Sequence, residues 1–434
     1  MSQAQPARVL VIAEAANPEW VSVPLVGWSL AAALREVAAV HVVTQERNRP
    51  AIERAGWVPG RDFTALDSEA VAAPVWKLAQ RLRGGAGVGW TLVTAMSVPG
   101  YYWFEHLLWR RFEAQLRARA FDIVHRVTPL SPTTPSRLAA RLRALAIPFV
   151  VGPLNGGVPW PREFAAARRQ EREWLSYARD AYRLLPGYRS MREAAAGIIV
   201  GSRATYQQMG ERWRGKTVYI PENAIASVRP GPVAARLPGQ PLRVIFVGRL
   251  VPYKGADMLL DAAAELVRAG RLSVELVGDG PERAALERQA AALGIAGSVT
   301  FAGWLPHAAV AERLRQAHVL GFPSIREFGG GVVIEAMAAG VVPVVVDYAG
   351  PAELVTPATG HRVPLGPRDA IVAGLGERLA RLADDEAERV ALAGRARARI
   401  ERWFTWARKA EQIAAVYDWV LHRADKPDFG MPFP

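Results

Sequence analysis

Short apolar runs alternate with longer amphipathic stretches along most of the 434-residue chain. In the first half, the runs Arg8–Ala13 and Ala39–Gln45 are rich in β-branched residues, and the segment between them has helical spacing. Short apolar strands that alternate with helices are typical of a parallel sheet covered on both faces. The pattern therefore predicts strand–helix–strand units, of which these segments form the first.

The alternation stops between Ala226 and Leu242, where four prolines and two glycines occur without periodicity, and then it starts again. The later strands are predicted within "RVIFVGRL", "SVELVGDG", "VTFAGWL", "HVLGFPS" and "VVPVVVDYAG". We therefore predict an α/β protein with two doubly wound, Rossmann-like domains that face each other across a cleft. The predicted parts are an N-terminal domain (1–228), a linker (229–241), a C-terminal domain (242–402), and a helix and tail (403–434) that cross back to the N-terminal domain.

The net charge of +13 is unevenly distributed along the chain. Residues 77–120 hold seven basic and two acidic side chains among many aromatic ones, and residues 162–216 hold twelve basic and six acidic. This pattern is typical of a solvated basic face, a surface for anionic lipid or a nucleic-acid interface. Because no nucleic-acid-binding motif is visible, we expect no nucleic-acid partner and keep the other two interpretations.

The composition also restricts the compartment and the chemistry. The chain contains no cysteine, which excludes disulfides and thiolate catalysis. Its polar first residues lack the pattern of a signal peptide, and no apolar stretch approaches the roughly 18 residues of a membrane-spanning helix. We expect a cytoplasmic protein, either free or peripheral on the inner face of the plasma membrane.

Two cations follow the first predicted strand of the second domain. In "VGRLVPYKG", Arg249 and Lys254 lie between Gly248 and Gly255. Ligands of doubly wound sheets bind beyond the carboxyl ends of the strands, where these residues fall. A planar guanidinium together with a compact ammonium suits a diphosphate, although two solvated cations in a loop would give the same pattern.

A second motif, "REFGGGVVIEAMAAG", places three glycines between two carboxylates, Glu327 and Glu335. The glycines allow a close approach of the backbone to a ligand at the start of a helix predicted near Gly331, where free N–H groups favour an anion. Carboxylates would repel a phosphate but accept hydrogen bonds from sugar hydroxyls. Together the two motifs indicate a nucleotide-sugar.

These motifs and the two-domain pattern resemble the family-four retaining glycosyltransferases of the GT-B fold, of the type that builds exopolysaccharide or lipopolysaccharide. The resemblance covers most of the chain and is strongest from residue 243 to about residue 360. It implies a UDP- or GDP-sugar donor, a glycan or lipid-linked acceptor, and a donor site made of Gly248, Arg249, Lys254, Glu327, Phe328, Gly329, Gly330, Gly331, Val332 and Glu335.

Within that site, the resemblance implies that Arg249 and Lys254 hold the diphosphate, that Glu327 binds the transferred sugar and that Glu335 binds the ribose. In the N-terminal domain, "DIVHRVTPLSPTTPS" matches the strand-then-histidine element of the family, so His125 is expected near the reaction centre, facing the donor sugar. The catalytic set is then His125, Arg249, Lys254 and Glu327. The acceptor side is expected to include Arg126, Asn155, Gly156 and Gly157.

The chain departs from the family at its first loop, where the usual glycines are replaced by "EAANPEWVSVPLVGW". It also contains no Asp-x-Asp motif. With Arg249, Lys254 and a helix N-terminus at the diphosphate, we expect no metal and no cofactor besides the nucleotide-sugar co-substrate. The family's reaction is front-face attack, in which the leaving phosphate takes the acceptor proton.

Two other classes of protein fit the same residues. One is a GT-B enzyme that acts on nucleotide-sugars without transfer, such as an epimerase. The other is a non-catalytic protein that binds a nucleotide-sugar or a membrane surface. A dinucleotide-dependent dehydrogenase is disfavoured, because no Gly-x-Gly-x-x-Gly follows the first strand.

Overall fold

Two parallel sheets organise the chain in the computed structural model, which describes residues 5–71, 73–74, 90–156, 158–161, 164, 181–228 and 231–434. The first sheet has the strand order β3-β2-β1-β4-β5-β6-β7 and the second the order β10-β9-β8-β11-β12-β13. Both orders reverse beside the first strand of their sheet, which is the crevice where ligands bind in doubly wound folds. The predicted fold class is confirmed.

The strands of the first sheet are β1 (Arg8–Ala13), β2 (Ala39–Gln45), β3 (Phe63–Leu66), β4 (Ile123–Thr128), β5 (Phe149–Leu154), β6 (Gly197–Val200) and β7 (Thr217–Tyr219). Those of the second sheet are β8 (Leu242–Val247), β9 (Leu272–Val277), β10 (Val299–Gly303), β11 (Val319–Phe322), β12 (Val342–Val346) and β13 (His361–Val363). The strands pair in parallel, with Val11 opposite His125 in the first sheet.

The helices of the first domain are α1 (Val23–Leu34), α2 (Arg49–Arg54), α3 (Trp90–Arg117), α4 (Leu138–Ala144), α5 (Tyr188–Ala194), α6 (Arg203–Gln208) and α7 (Glu211–Arg214). Those that follow are α8 (Ala256–Arg268), α9 (Arg283–Ala292), α10 (His307–Gln316), α11 (Gly331–Ala338), α12 (Ala349–Leu354), α13 (Arg368–Asp384), α14 (Glu386–Trp403) and α15 (Trp406–Val420).

Burial follows the predicted periodicities. Every residue of β4, β5 and β12 is buried, as expected for central strands covered on both faces. On α3, Phe104, Leu108 and Phe112 share the buried face that their spacing predicted. Strand β3 was not predicted, because it is a four-residue edge strand in which only the two end residues are buried.

The last helix, α15, packs against α1 of the first domain although it follows the second domain in the chain. The crossing is fixed by backbone hydrogen bonds at Ile225, whose N–H donates to Phe404 O (2.9 Å) and whose carbonyl accepts from Trp406 N (2.9 Å). Within the part of the chain that the structure describes, none of the helices is long and apolar enough to span a bilayer.

Candidate functional site

Main-chain atoms of three glycine-containing loops form the floor of the cleft at the carboxyl ends of β8, β9 and β10. Gly278 N donates to Gly303 O (2.8 Å), and a Cβ built on Gly278 would lie 1.9 Å from Gly248 O. Gly278 also has a φ of +136°, a conformation that residues with a side chain rarely adopt. The three loops therefore pack main chain on main chain, and a side chain at residue 278 would not fit between them.

Lys254 and Glu327 form an ion pair at this edge, between Lys254 Nζ and Glu327 Oε2. The two residues are 73 positions apart in sequence, and their side chains are 16% and 20% exposed. Lys254 Nζ also lies 5.1 Å from the centre of the Phe322 ring, whose face attracts a cation. The structure thus brings together the cation predicted for the diphosphate and the carboxylate predicted for the sugar.

Arg249, the second predicted phosphate ligand, is exposed and lies two residues after the end of β8. Its carbonyl accepts from Val251 N (3.0 Å), whereas its guanidinium forms no hydrogen bond or ion pair with any residue in the described ranges. Its predicted role is compatible with this position and stays a prediction.

The glycine segment, residues 329–331, ends at the start of α11. Gly330 adopts a left-handed conformation (φ +60°) as the N-cap, and the helix begins at Gly331 as the sequence predicted. A Cβ on Gly350 would lie 2.1 Å from Phe328 O, and Gly350 N donates to Glu327 O (3.2 Å). The segment is therefore supported from behind by the start of α12, while Val332 is half-buried in the first turn of α11.

Glu335 lies one turn into α11 and accepts a hydrogen bond from His307 Nε2 (3.2 Å). This hydrogen bond raises the pKa of His307, because the carboxylate stabilises the imidazolium. Neither side chain is buried, so both remain accessible to solvent. Sequence reasoning predicted Glu335 as a ribose ligand but did not identify His307 as its neighbour.

His125 is fully buried in the middle of β4, three residues before the carboxyl end of that strand. Its Nε2 lies 2.7 Å from Gly152 O and its Nδ1 lies 2.7 Å from Tyr417 Oη. Since a carbonyl can only accept, Nε2 carries the proton and Nδ1 accepts from the tyrosine hydroxyl. Burial lowers the pKa of His125 to about 4, which keeps the ring neutral.

These contacts give His125 a structural function, because they tie β4 to β5 and to the returning helix α15. The expectation that its ring faces the donor sugar finds no support in them, since its two ring nitrogens are engaged by Gly152 of β5 and Tyr417 of α15. A catalytic role of His125 stays a prediction.

Arg126 is also fully buried, because successive residues of β4 point to opposite faces of a sheet covered on both sides. Its Nη1 donates to Thr134 O (2.8 Å), and its guanidinium lies 5.6 Å from the centre of the Tyr101 ring. It therefore holds the loop that follows β4. Its predicted contact with an acceptor would be indirect in this arrangement and stays a prediction.

Asn155 and Gly156 lie at the carboxyl end of β5, where the sequence placed the acceptor side, and Gly157 lies outside the described residues. Asn155 Nδ2 donates to Glu222 Oε1 (2.7 Å), and Asn155 Oδ1 accepts from Gly156 N (2.8 Å). The side chain is 7% exposed, so it orients this loop from beneath.

A buried charged cluster between the domains was not predicted. It consists of Glu222 after β7, Glu353 of α12 and Lys409 of α15, all at most 5% exposed. Glu353 accepts from Arg203 N (3.0 Å) and Tyr219 Oη (3.0 Å), which both belong to the first domain. A sequence signal existed for Lys409, which shares the 4-3-4 spacing of the buried stripe Ile413, Val416 and Val420.

Two doubly wound parallel domains with their ligand crevices facing each other define the GT-B fold. The solved structure of HepE from Anabaena is similar over 94% of this chain and 98% of its own, with 16% identity and a TM-score of 0.59. Sucrose-phosphate synthase from Thermosynechococcus elongatus is similar over 96% and 100%, with 19% identity and a TM-score of 0.62. At these identities the likeness is one of fold.

In sequence, residues 233–399 match the family described as glycosyl transferases group 1. The chain is 33% identical over 234 residues to D-inositol 3-phosphate glycosyltransferase of Nocardia farcinica, and the matched segment covers 49% of this chain and 50% of that protein. It is 41% identical over 96 residues to 2-deoxystreptamine glucosyltransferase of Streptomyces kanamyceticus, and this segment covers 22% of this chain and 25% of that protein. The chain thus spans half or less of these curated relatives, and its C-terminal domain carries the group 1 sequence pattern.

Proposed function

We propose that the protein is a retaining glycosyltransferase that moves a hexosyl group from a nucleotide-diphosphate sugar to a glycan or lipid-linked glycan in cell-surface polysaccharide synthesis. The observation that carries the proposal is the ion pair of Lys254 and Glu327 beside the start of α11. A cation, backbone N–H groups and a carboxylate occur there together, which suits a diphosphate linked to a sugar.

In the proposed reaction, Arg249 and Lys254 stabilise the negative charge that grows on the departing diphosphate. Glu327 orients the sugar through its hydroxyls, and Glu335 holds the ribose. The acceptor hydroxyl attacks from the face that the diphosphate leaves, so the leaving phosphate oxygen takes its proton. Arg249, Lys254 and the start of α11 supply positive charge at the diphosphate, and we propose that the reaction uses no metal.

The comparisons support a choice of first donors and acceptors to test. HepE was solved with UDP and with UDP-glucose, which favours a uridine nucleotide among the donors. The named substrates of the sequence relatives, D-inositol 3-phosphate and 2-deoxystreptamine, are small ring compounds with several hydroxyls or amines. Such a compound is therefore a second candidate acceptor beside a lipid-linked glycan.

We also propose a peripheral position on the cytoplasmic face of the plasma membrane, which the basic charge of the first domain supports. The aromatic residues support it less than the sequence suggested, because Tyr101, Phe104 and Phe112 are buried in the core. Cations stacked on half-exposed rings remain, such as Arg137 on Tyr102 (4.3 Å) and Arg141 on Trp109 (4.9 Å). Flotation with anionic vesicles at low salt tests this part, and absence of binding would refute it.

Thermal shift against UDP-, GDP- and ADP-sugars identifies the donor, because a ligand that binds only the folded state raises the unfolding temperature. The identified donor, labelled in its hexosyl group, is then incubated with the protein and either a lipid-linked glycan fraction or inositol phosphate. Movement of label to an acceptor supports transfer, whereas an altered sugar still attached to its nucleotide supports an epimerase. Binding without either reaction supports a non-catalytic protein.

A further inference from the structure

The two sides of the proposed site meet at Glu222. Its Oε1 accepts from Asn155 Nδ2 (2.7 Å), so one end of this contact is fixed to the loop that follows β5. Asn155 in turn accepts from Gly156 N (2.8 Å), and Gly156 has a φ of +139°. Glu222 is 5% exposed and Asn155 is 7% exposed, so the contact is shielded from water. The carboxylate therefore sets the backbone of the acceptor-side loop.

The same carboxylate oxygen lies against the donor side. A Cβ built on Gly329 would lie 2.1 Å from Glu222 Oε1 and 2.1 Å from Asn223 Nδ2. No side chain fits at residue 329 unless these groups move, because real Cβ atoms do not approach so closely. The middle of the donor-side loop thus rests on Glu222 and Asn223 of the other domain.

The remaining oxygen of Glu222 shows that this carboxylate is not simply one half of a structural salt bridge. Oε2 is buried beside Gly201, where a Cβ would lie 2.3 Å away, and it has no hydrogen-bond partner within the described part of the chain. The charges that act on this carboxylate are Lys409 of α15, whose ammonium also lacks a hydrogen-bond partner in the described residues, and Glu353 of α12. A buried carboxylate left half-satisfied costs stability, and such sites are often retained for function.

We propose that Glu222 is a positioning residue for the transfer reaction. It holds the acceptor-side loop at Asn155 and the donor-side loop at Gly329 in a fixed position relative to each other. The inference rests on the proposed function, because it assigns these two loops to acceptor and donor. Glu222 itself touches neither substrate. It acts through Asn155 and through the backbone of Gly329, so its loss displaces the two substrates relative to each other rather than removing a ligand from either.

The test is steady-state transfer kinetics of E222A and E222Q with the donor identified for the wild type. We expect E222A to lower kcat about tenfold or more while the KM for the donor stays within about twofold, since misplacement of reacting groups acts on the chemical step. E222Q keeps an oxygen at the position of Oε1 and should recover kcat to within about threefold of the wild type. N155A combined with E222A should lower kcat no further than the larger single effect, because both act through one contact.

A buried carboxylate of the same domain provides the matched control. Asp62 is 6% exposed, and its partners Arg35, Arg61 and Val58 N all belong to the first domain, beside the amino end of β3. D62A should lower the unfolding temperature as E222A does but leave kcat within about twofold. If E222A and D62A lose kcat equally, or if E222Q does not rescue, Glu222 is merely structural and the inference is wrong.

The donor thermal shift separates the two claims. If the wild type binds and transfers a nucleotide-sugar but E222A keeps the wild-type kcat, the inference fails and the proposed function stands. If the wild type binds no nucleotide-sugar, the proposed function fails and the inference falls with it.

Discussion

Replacing Glu327 with alanine gives the most discriminating prediction for the donor site. In this structure Lys254 is paired with Glu327, whereas the proposed reaction needs Lys254 on the diphosphate. A nucleoside diphosphate without sugar must therefore compete with Glu327 for the ammonium. In E327A that competition is absent, so the nucleoside diphosphate should bind more tightly than to the wild type, while sugar transfer should be lost.

The magnitude follows from the burial of the pair. The two side chains are 16% and 20% exposed, so we take about 1 kcal/mol, the upper end for surface ion pairs. Since about 1.4 kcal/mol corresponds to a factor of ten, E327A should bind the nucleoside diphosphate about fivefold more tightly.

Isothermal titration calorimetry with the nucleoside diphosphate of the identified donor measures the effect. E335A is the matched control, because its carboxylate lies one turn further along α11 and is predicted to bind the ribose; this variant should bind the same ligand more weakly. Unchanged or lower affinity of E327A for the nucleoside diphosphate would show that Glu327 does not compete for Lys254, as would an E335A variant that behaves like E327A.

Three further predictions concern the framework around the site. Y417F removes the hydroxyl that His125 Nδ1 accepts from and should lower the free energy of unfolding by about 1–3 kcal/mol in urea titrations; an unchanged midpoint would contradict a stabilising hydrogen bond between these two side chains. G278A should destabilise by about 2 kcal/mol or more, because it combines a φ of +136° with a clash at Gly248 O, and G297A, which has open space at its Cβ, should not. Burial raises the pKa of Glu222 from 4.5 to about 7, so its contribution to stability is full below pH 4.5 and is lost as the pH rises to 7. The unfolding temperature of E222Q relative to the wild type should therefore rise from pH 5 to pH 8, and a constant difference would contradict this sign.

The fold could be predicted because its signals are local. Each apolar run and each amphipathic stretch carries its own periodicity, and the proline-rich break at residues 226–242 separates the two halves. Strand β3 was missed because four residues with two half-buried centres give too little contrast. The donor-side motifs could be recognised because their signals are local too. Arg249, Lys254 and the glycine segment all lie in the loops that follow β8 and β11.

The N-terminal side of the site was harder to predict, because a motif does not show how far a residue lies from the carboxyl end of its strand. The sequence places His125 in a strand, but only the structure shows that β4 continues for three more residues before the cleft. The buried charged cluster of Glu222, Glu353 and Lys409, with Asn155 hydrogen-bonded to Glu222, assembles from four distant segments. Its clearest signal in the sequence is Lys409 on the apolar stripe of α15. This position predicts that the lysine is buried but not which carboxylates lie near it.

Transfer of labelled hexose shows whether the protein is a retaining glycosyltransferase that relies on Arg249 and Lys254. The wild type, R249A/K254A and E335A are each incubated with the donor identified by thermal shift and with the candidate acceptors, and the product linkage is determined by NMR. The wild type should move the hexose with its anomeric configuration retained. R249A/K254A should lose this transfer at least about a hundredfold, because the charge on the departing diphosphate is no longer stabilised. Unimpaired transfer by R249A/K254A, or a product of inverted configuration, would contradict the proposed function.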